Sequence, residues 1–256
     1  MHFFKGGRGT VLQWFISQAT GGRTEQQDSV AVLEGNNRGT ALAILADGAG
    51  GHRGGRLASQ KVLETSRRMF EQAGLKLQDP TAQLTALCRQ AHNEINRLAE
   101  TAKSAPRSTV VALYVEGDKA WWVNVGDSRL YRVRDGRVLE RTKDHTMAQI
   151  LFEQGEIKDE EIPHHPDRTQ LLKALGGEEL YKPSLGSAQI ATGDGFVLCS
   201  DGFWENTPPA MIGALVSGQL SRQTLDEVVK AAASANGASS DNVTACTLAV
   251  TASGSR

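Results

Sequence analysis

The chain has 256 residues, 39% hydrophobic and 22% charged, with 28 Lys and Arg against 29 Asp and Glu. Such a chain buries a full core without staples, and its balanced charge leaves no electrostatic footprint for nucleic acid or an acidic membrane surface. The cysteines Cys88, Cys199 and Cys246 are too few and too widely spaced for a disulfide framework or a zinc site, and no apolar run is long enough to cross a bilayer.

Residues 1–10, with Gly6-Gly7-Arg8-Gly9, read as a loose end, and Val11 to Ala19 reads as a first strand. Lys5 and Arg8 ahead of Val11 echo a signal peptide. The apolar stretch is too short and Gln13 interrupts it, so the expectation is a cytoplasmic protein. Gly21 to Asp28 is a polar loop leading to a short strand, Ser29 to Leu33, and Asn36-Asn37-Arg38-Gly39 turns into the next. That next run, Thr40 to Ala46, reads as a strand buried on both faces. It ends in Asp47-Gly48-Ala49-Gly50-Gly51-His52, which places a carboxylate at the rim of a sheet beside glycines that let an ion approach the backbone. Asp-Gly is also common turn chemistry, so this stretch alone leaves both readings open.

Arg53 to Gln72 predicts a helix with Ala58, Val62, Thr65 and Met69 on one face. Leu84, Leu87, Cys88, Ala91, Ile95 and Leu98 predict a second, opened by Asp79-Pro80-Thr81; the two should pair on one face of a sheet. Strands follow at Ser108 to Val115, Lys119 to Val125, Ser128 to Val133 and Arg137 to Arg141, with Asp135-Gly136 as a plain hairpin turn. Thr146 to Gln154 predicts a short helix. Residues 155–186 form the longest irregular stretch, a candidate flap over a site. Then come strands at Ser187 to Ile190 and Gly195 to Leu198, helices at Pro208 to Val216 and Thr224 to Ala233, and a last strand, Val243 to Val250. With no repeat and no linker, residues 1–256 read as a single domain.

Several aspartates fall at strand ends. Phe196 to Leu198 runs through Cys199-Ser200 into Asp201-Gly202, Asp241 precedes the last strand, Asp127 sits at a strand-to-strand turn and Asp28 stands just before a strand. Carboxylates gathered on one rim would repel, and a hard divalent cation removes that conflict. Oxygen-only ligands favour Mg²⁺ or Mn²⁺. Two such ions can share a water, lower its pKa and polarise a phosphoryl oxygen, while an arginine such as Arg23 grips phosphate. The pattern suggests phosphoester hydrolysis; scattered turn aspartates are the alternative.

The order of the motifs adds more. Arg23-Thr24-Glu25-Gln26-Gln27-Asp28-Ser29, Asp47 to His52, Val125-Gly126-Asp127-Ser128, Thr142-Lys143-Asp144-His145-Thr146, Leu172-Lys173-Ala174-Leu175-Gly176, Leu198-Cys199-Ser200-Asp201-Gly202 and Ser240-Asp241-Asn242-Val243-Thr244 occur in sequence across residues 11–250. The chain resembles the bacterial metal-dependent protein serine/threonine phosphatases, the PPM or type 2C family. The resemblance implies an α+β, four-layer α-β-β-α sandwich of two antiparallel sheets flanked by helix pairs. It implies two Mn²⁺ or Mg²⁺ ions: Asp47 bridging, the Gly48 carbonyl on the second, Asp201 and Asp241 on the first, Asp28 acting through water. Asp127 with Asp201 matches a third, weaker ion, and Arg23 the phosphate-binding arginine. Residues 146–186 correspond to the flap. The implied activity is hydrolysis of phosphoserine and phosphothreonine in proteins by a metal-bridging water, opposing a kinase. The expectation is a monomer, and the charge balance and short apolar runs predict no nucleic-acid or membrane partner. Gln27 stands where many members carry Glu, and Ala49 supplies no side-chain acid. These departures motivate the alternative of a catalytically impaired binding or scaffold module. His52 and His145 read as structural hydrogen-bonders.

Overall fold

The computed structural model describes residues 4–5, 10–36, 39–50, 52–101, 105–178, 181–217 and 220–252. The strands are β1 (Phe4–Lys5), β2 (Thr10–Ala19), β3 (Ser29–Glu34), β4 (Thr40–Ala46), β5 (Gly48–Ala49), β6 (Arg107–Ser108), β7 (Val110–Glu116), β8 (Lys119–Val125), β9 (Arg129–Arg134), β10 (Arg137–Arg141), β11 (Ser184–Gln189), β12 (Asp194–Cys199) and β13 (Val243–Ala252). The helices are α1 (His52–Gln72), α2 (Pro80–Thr101), α3 (Met147–Glu153), α4 (Asp201–Trp204), α5 (Pro209–Ala214) and α6 (Arg222–Ser234). One antiparallel sheet runs β1-β2-β13-β12-β9-β10, the other β11-β8-β7-β4-β3, and β5 pairs with β6 apart from both.

Side-chain alternation sorts these elements into four layers. On β4, Ala41, Ala43 and Leu45 face the opposite sheet and meet Phe196, Leu198, Cys246 and Leu248. The intervening Leu42, Ile44 and Ala46 face α1 and α2, against Ala58, Val62, Leu84, Cys88 and Ile95. An antiparallel strand usually keeps one face wet; here helices cover it, so the run is apolar throughout. The other sheet turns Val133, Val197 and Ala245 outward under Ile212 of α5 and Leu225 and Val229 of α6. All three cysteines are buried and free.

Asp135 and Gly136 take positive φ values of 50° and 75°, the central pair that a two-residue hairpin turn requires. Several boundaries depart from the sequence reading. The strand expected from Ser108 to Val115 is interrupted at Thr109, whose N–H leaves the ladder to donate to the Asp47 carbonyl at 2.8 Å. The flap contains two 3-10 turns, Asp159–His164 and Pro166–Thr169, and β11 begins at Ser184, inside the stretch read as irregular. The loose end contains Phe4–Lys5, paired with Leu12 and Val11 of β2. α4 was not expected at all. Asn37, Arg38 and Gly51 lie outside the described residues, as do residues 1–3 and 6–9 of the loose end.

Candidate metal centre

One end of the sandwich carries a cavity of ≈ 510 Å³ lined by Arg23, Asp47, Gly48, Asp127, Asp201 and Asp241, with Thr169 and Leu171 of the flap at its margin. Asp28 is not part of this lining. It lies behind it, 5% exposed, yet its charge acts on Asp47.

The backbone is pinned so that these carboxylates project. Asp47 N–H donates to Thr109 Oγ1 at 2.9 Å, and its carbonyl accepts from Thr109 N–H and from Ser108 Oγ at 3.0 Å. Thr109 Oγ1 also meets Ser128 Oγ at 2.7 Å, which ties the Asp47 corner to the Asp127 turn. A Cβ on Gly48 would sit 2.0 Å from the Gly55 carbonyl, so only glycine fits where β5 meets the first turns of α1. Gly126 (φ +103°) makes the Asp127 turn, and His145 holds it twice. His145 N–H donates to the Gly126 carbonyl, and Gly126 N–H donates to His145 Nδ1 at 3.1 Å. His145 Nε2 lies 2.9 Å from Ser184 Oγ, and burial lowers its pKa to about 4, which keeps the ring neutral for these bonds. This ring is the structural hydrogen-bonder read from sequence; the side chain of His52 lies outside the described residues.

Asp201 is the first residue of α4, and Gly202 N–H donates to its Oδ1 at 2.6 Å. Asp241 is held by Asn242 N–H at 2.7 Å and by Arg23 Nη2, also at 2.7 Å. Asn242 fastens the Arg23–Asp28 loop: its Nδ2 donates to the carbonyls of Thr20 and Glu25, and its Oδ1 accepts from Gln27 N–H at 2.8 Å. Ser200 Oγ donates to Asp28 Oδ2 at 2.9 Å, while Asp28 Oδ1 is buried with no partner among the described residues.

The electrostatics record crowding. Burial, followed by the charges of Asp28, Asp201, Asp127 and Asp241, drives the Asp47 carboxyl well above its usual range. Burial and neighbouring acids push Asp28 and Asp201 up to about 7, and Asp127 is raised well above its ordinary value, first by burial and then by Asp201. Among the described residues no three such side chains already stand in a metal-holding arrangement. Instead Arg23 neutralises Asp241, and Asp201 Oδ1 accepts from the neighbouring Gly202 N–H. The donor set nevertheless suits a hard divalent cation. It is all oxygen, it is charged beyond what one arginine balances, and it includes an orphaned carboxylate oxygen on Asp28.

Below the cleft the chain solves a similar problem internally. Arg129, 4% exposed, donates Nε and Nη2 to both oxygens of Asp144 at 2.8 and 2.6 Å and Nη1 to Tyr131 Oη. Its guanidinium lies 3.4 Å over the Trp204 ring, whose Nε1 donates to the Asp127 carbonyl at 2.9 Å. Sequence reading missed Thr109, Trp204 and the holding role of Asn242, because each acts through partners distant in the chain.

Fold and cleft together define a class: a four-layer sandwich with an acidic, oxygen-only cleft at one sheet end. The comparisons make it particular. The Protein phosphatase 2C family profile matches residues 20–248, and the chain belongs to that family. It is 35% identical over 184 residues, 70% of its length, to the serine/threonine protein phosphatase PstP of Mycobacterium tuberculosis, and that match spans only 34% of PstP. A putative protein phosphatase 2C-type of Streptococcus pyogenes is 31% identical over 70% of this chain and 74% of the relative. The crystal structure of the PstP catalytic domain in complex with two manganese ions superposes with a TM-score of 0.80 at 28% identity, covering 94% of this chain and 99% of that one.

Proposed function

We propose that this chain is a metal-dependent phosphatase that removes phosphate from serine and threonine of phosphoproteins. The observation that carries it is the meeting of Arg23, Asp47, Asp127, Asp201 and Asp241 in one cleft, within a family whose relatives bear that name. Asp47 and the Gly48 carbonyl would hold one cation, Asp47, Asp201 and Asp241 the other, and Asp127 with Asp201 a third, weaker one; Mn²⁺ and Mg²⁺ both suit the donors. When bound, the cations supply positive charge to the phosphoryl oxygens and lower the pKa of water in the cleft.

The side chains do the rest. Arg23, 59% exposed, is free to swing from Asp241 once a cation balances that carboxylate, and its planar fork then grips two phosphoryl oxygens. Asp28, buried behind the lining, would act on the cleft through its charge on Asp47 and through a water that reaches Oδ1. Ala49 has no proton to give the departing serine or threonine oxygen, so that proton comes from water. The Thr169–Leu171 margin sets how much of a protein chain enters. Residues 11–250 act as one phosphatase domain, working as a monomer in the cytoplasm and opposing a kinase. Gln27 and Ala49 also admit a scaffold lacking turnover, but the carboxylates are all present.

The test is hydrolysis of para-nitrophenyl phosphate and a phosphothreonine peptide with Mn²⁺. Turnover abolished by chelator and restored by Mn²⁺ is expected. Turnover indifferent to chelator contradicts the reading, as does none at all.

A further inference from the structure

A second cavity of ≈ 770 Å³, larger than the cleft, opens at the other end of α4. Asp201 begins that helix in the cleft; Trp204 and Glu205 end it in the second cavity. The floor is the Arg129 guanidinium stacked on Trp204, and Pro163, Pro208 and Pro209 form apolar walls. The floor arginine is spent on Asp144 and shows only 5% of its side chain, and Arg141 shows 16%. The charges that face solvent are acids: Glu140 is 45%, Asp159 58% and Glu160 78% exposed. They pair with Arg132, Arg141 and Lys158, of which only Lys158 is itself well exposed, and Lys158 does not line the cavity. Proline walls under a carboxylate rim suit an extended segment carrying Lys or Arg beside an apolar residue.

The flap joins the two sites. Its turn Asp159–His164 borders the second cavity, Thr169 and Leu171 border the cleft, and Arg168 between them donates to Glu205 at 2.7 Å. A four-residue helix spans about 6 Å. That is the length of about two extended residues, and with the breadth of the two cavities added a few residues of extended chain reach from one site to the other.

We propose that this second cavity is a docking subsite for a basic residue of the phosphoprotein substrate, a few positions along the chain from the phosphorylated residue. It rests on the phosphatase reading, and para-nitrophenyl phosphate, too small to reach the cavity, reports that reading separately. The experiment compares two phosphothreonine peptides that differ only in Lys-Pro against Glu-Pro placed about four residues from the phosphothreonine, with the unaltered protein and with Glu140→Lys/Glu160→Lys. The unaltered protein should favour the basic peptide about five- to twentyfold in kcat/KM, mostly through KM, and the double variant should erase the preference. A labelled Lys-Pro peptide followed by anisotropy in chelator reads docking without turnover; the double variant should weaken it at least about fivefold. Equal turnover of both peptides by the unaltered protein overturns the proposal. So does anisotropy that the double variant leaves unmoved, even if the protein proves catalytically inert.

Discussion

Two groups of buried acids lie side by side in this molecule and are treated in opposite ways. Asp144 is 4% exposed and carries its own counter-ion, the fully engaged Arg129. Asp28 and Asp127, each 5% exposed, have no buried arginine as a partner among the described residues, and with Asp47 and Asp201 they are driven toward the protonated form. A buried charge matched by the fold is architecture; a buried charge the fold leaves unmatched marks where something positive is to be added. Both kinds come from similar short motifs, Lys143-Asp144-His145 and Gly126-Asp127-Ser128, so it is the partner that tells them apart.

The largest effect should come from removing an unmatched acid. Asp201→Asn should cost activity on the order of 10³-fold with Mn²⁺, while the metal-free protein melts no lower than the unaltered one, because a repelling charge has gone. A large fall in the chelator-treated melting temperature would place Asp201 in the architectural class instead. The mirror experiment is Asp144→Ala. It leaves Arg129 buried and unpaired and should cost about 3–5 kcal/mol of stability by denaturant unfolding. A loss under about 1 kcal/mol would remove the distinction.

A smaller effect sharpens the comparison through pH. Asp28 and Asp201 titrate near 7 in the cation-free fold against 3.8 for the ordinary carboxyl, so between those values the folded chain binds more protons than the unfolded one. Their stabilisation is complete below about 3.8 and is lost as pH rises through about 7. His145, lowered to about 4, and His92, also lowered by burial, contribute the opposite slope, but they are two groups against five raised carboxyls, Asp28, Asp47, Asp127, Asp201 and Glu205. In chelator, the melting temperature should rise between about pH 7.5 and 5.5, and saturating Mn²⁺ should flatten or invert that slope, since cation and proton compete for the same oxygens. The same slope with and without Mn²⁺ would show that the ion binds elsewhere. Smallest is His145→Ala, which loosens the Asp127 turn and should lower kcat about tenfold. The Mn²⁺ dependence should shift with it, an effect that a merely structural loss would not produce.

Much of this architecture is written locally. The apolar run Thr40–Ala46 announces a strand covered on both faces, Leu84 through Leu98 keeps helical spacing, and Asp135-Gly136 names its own turn. What is not local is harder to read. α4 is four residues long, too short for a periodic signal. Thr109 breaks a strand for the sake of Asp47, 62 residues away, and Asn242 fixes Gln27 from 215 residues away. The acidic motifs and their order are visible in sequence; that Asp28 lies behind the cleft and that Arg23 rests on Asp241 are not, because both depend on how two sheets stack.

The most direct measurement is a crystal grown with Mn²⁺ and its anomalous scattering. Two strong peaks should appear among Asp47, Asp201 and Asp241, with Arg23 released from Asp241. A cleft free of manganese, with Arg23 still bound to Asp241 under saturating metal, would contradict the claim that these unmatched carboxylates exist to hold cations.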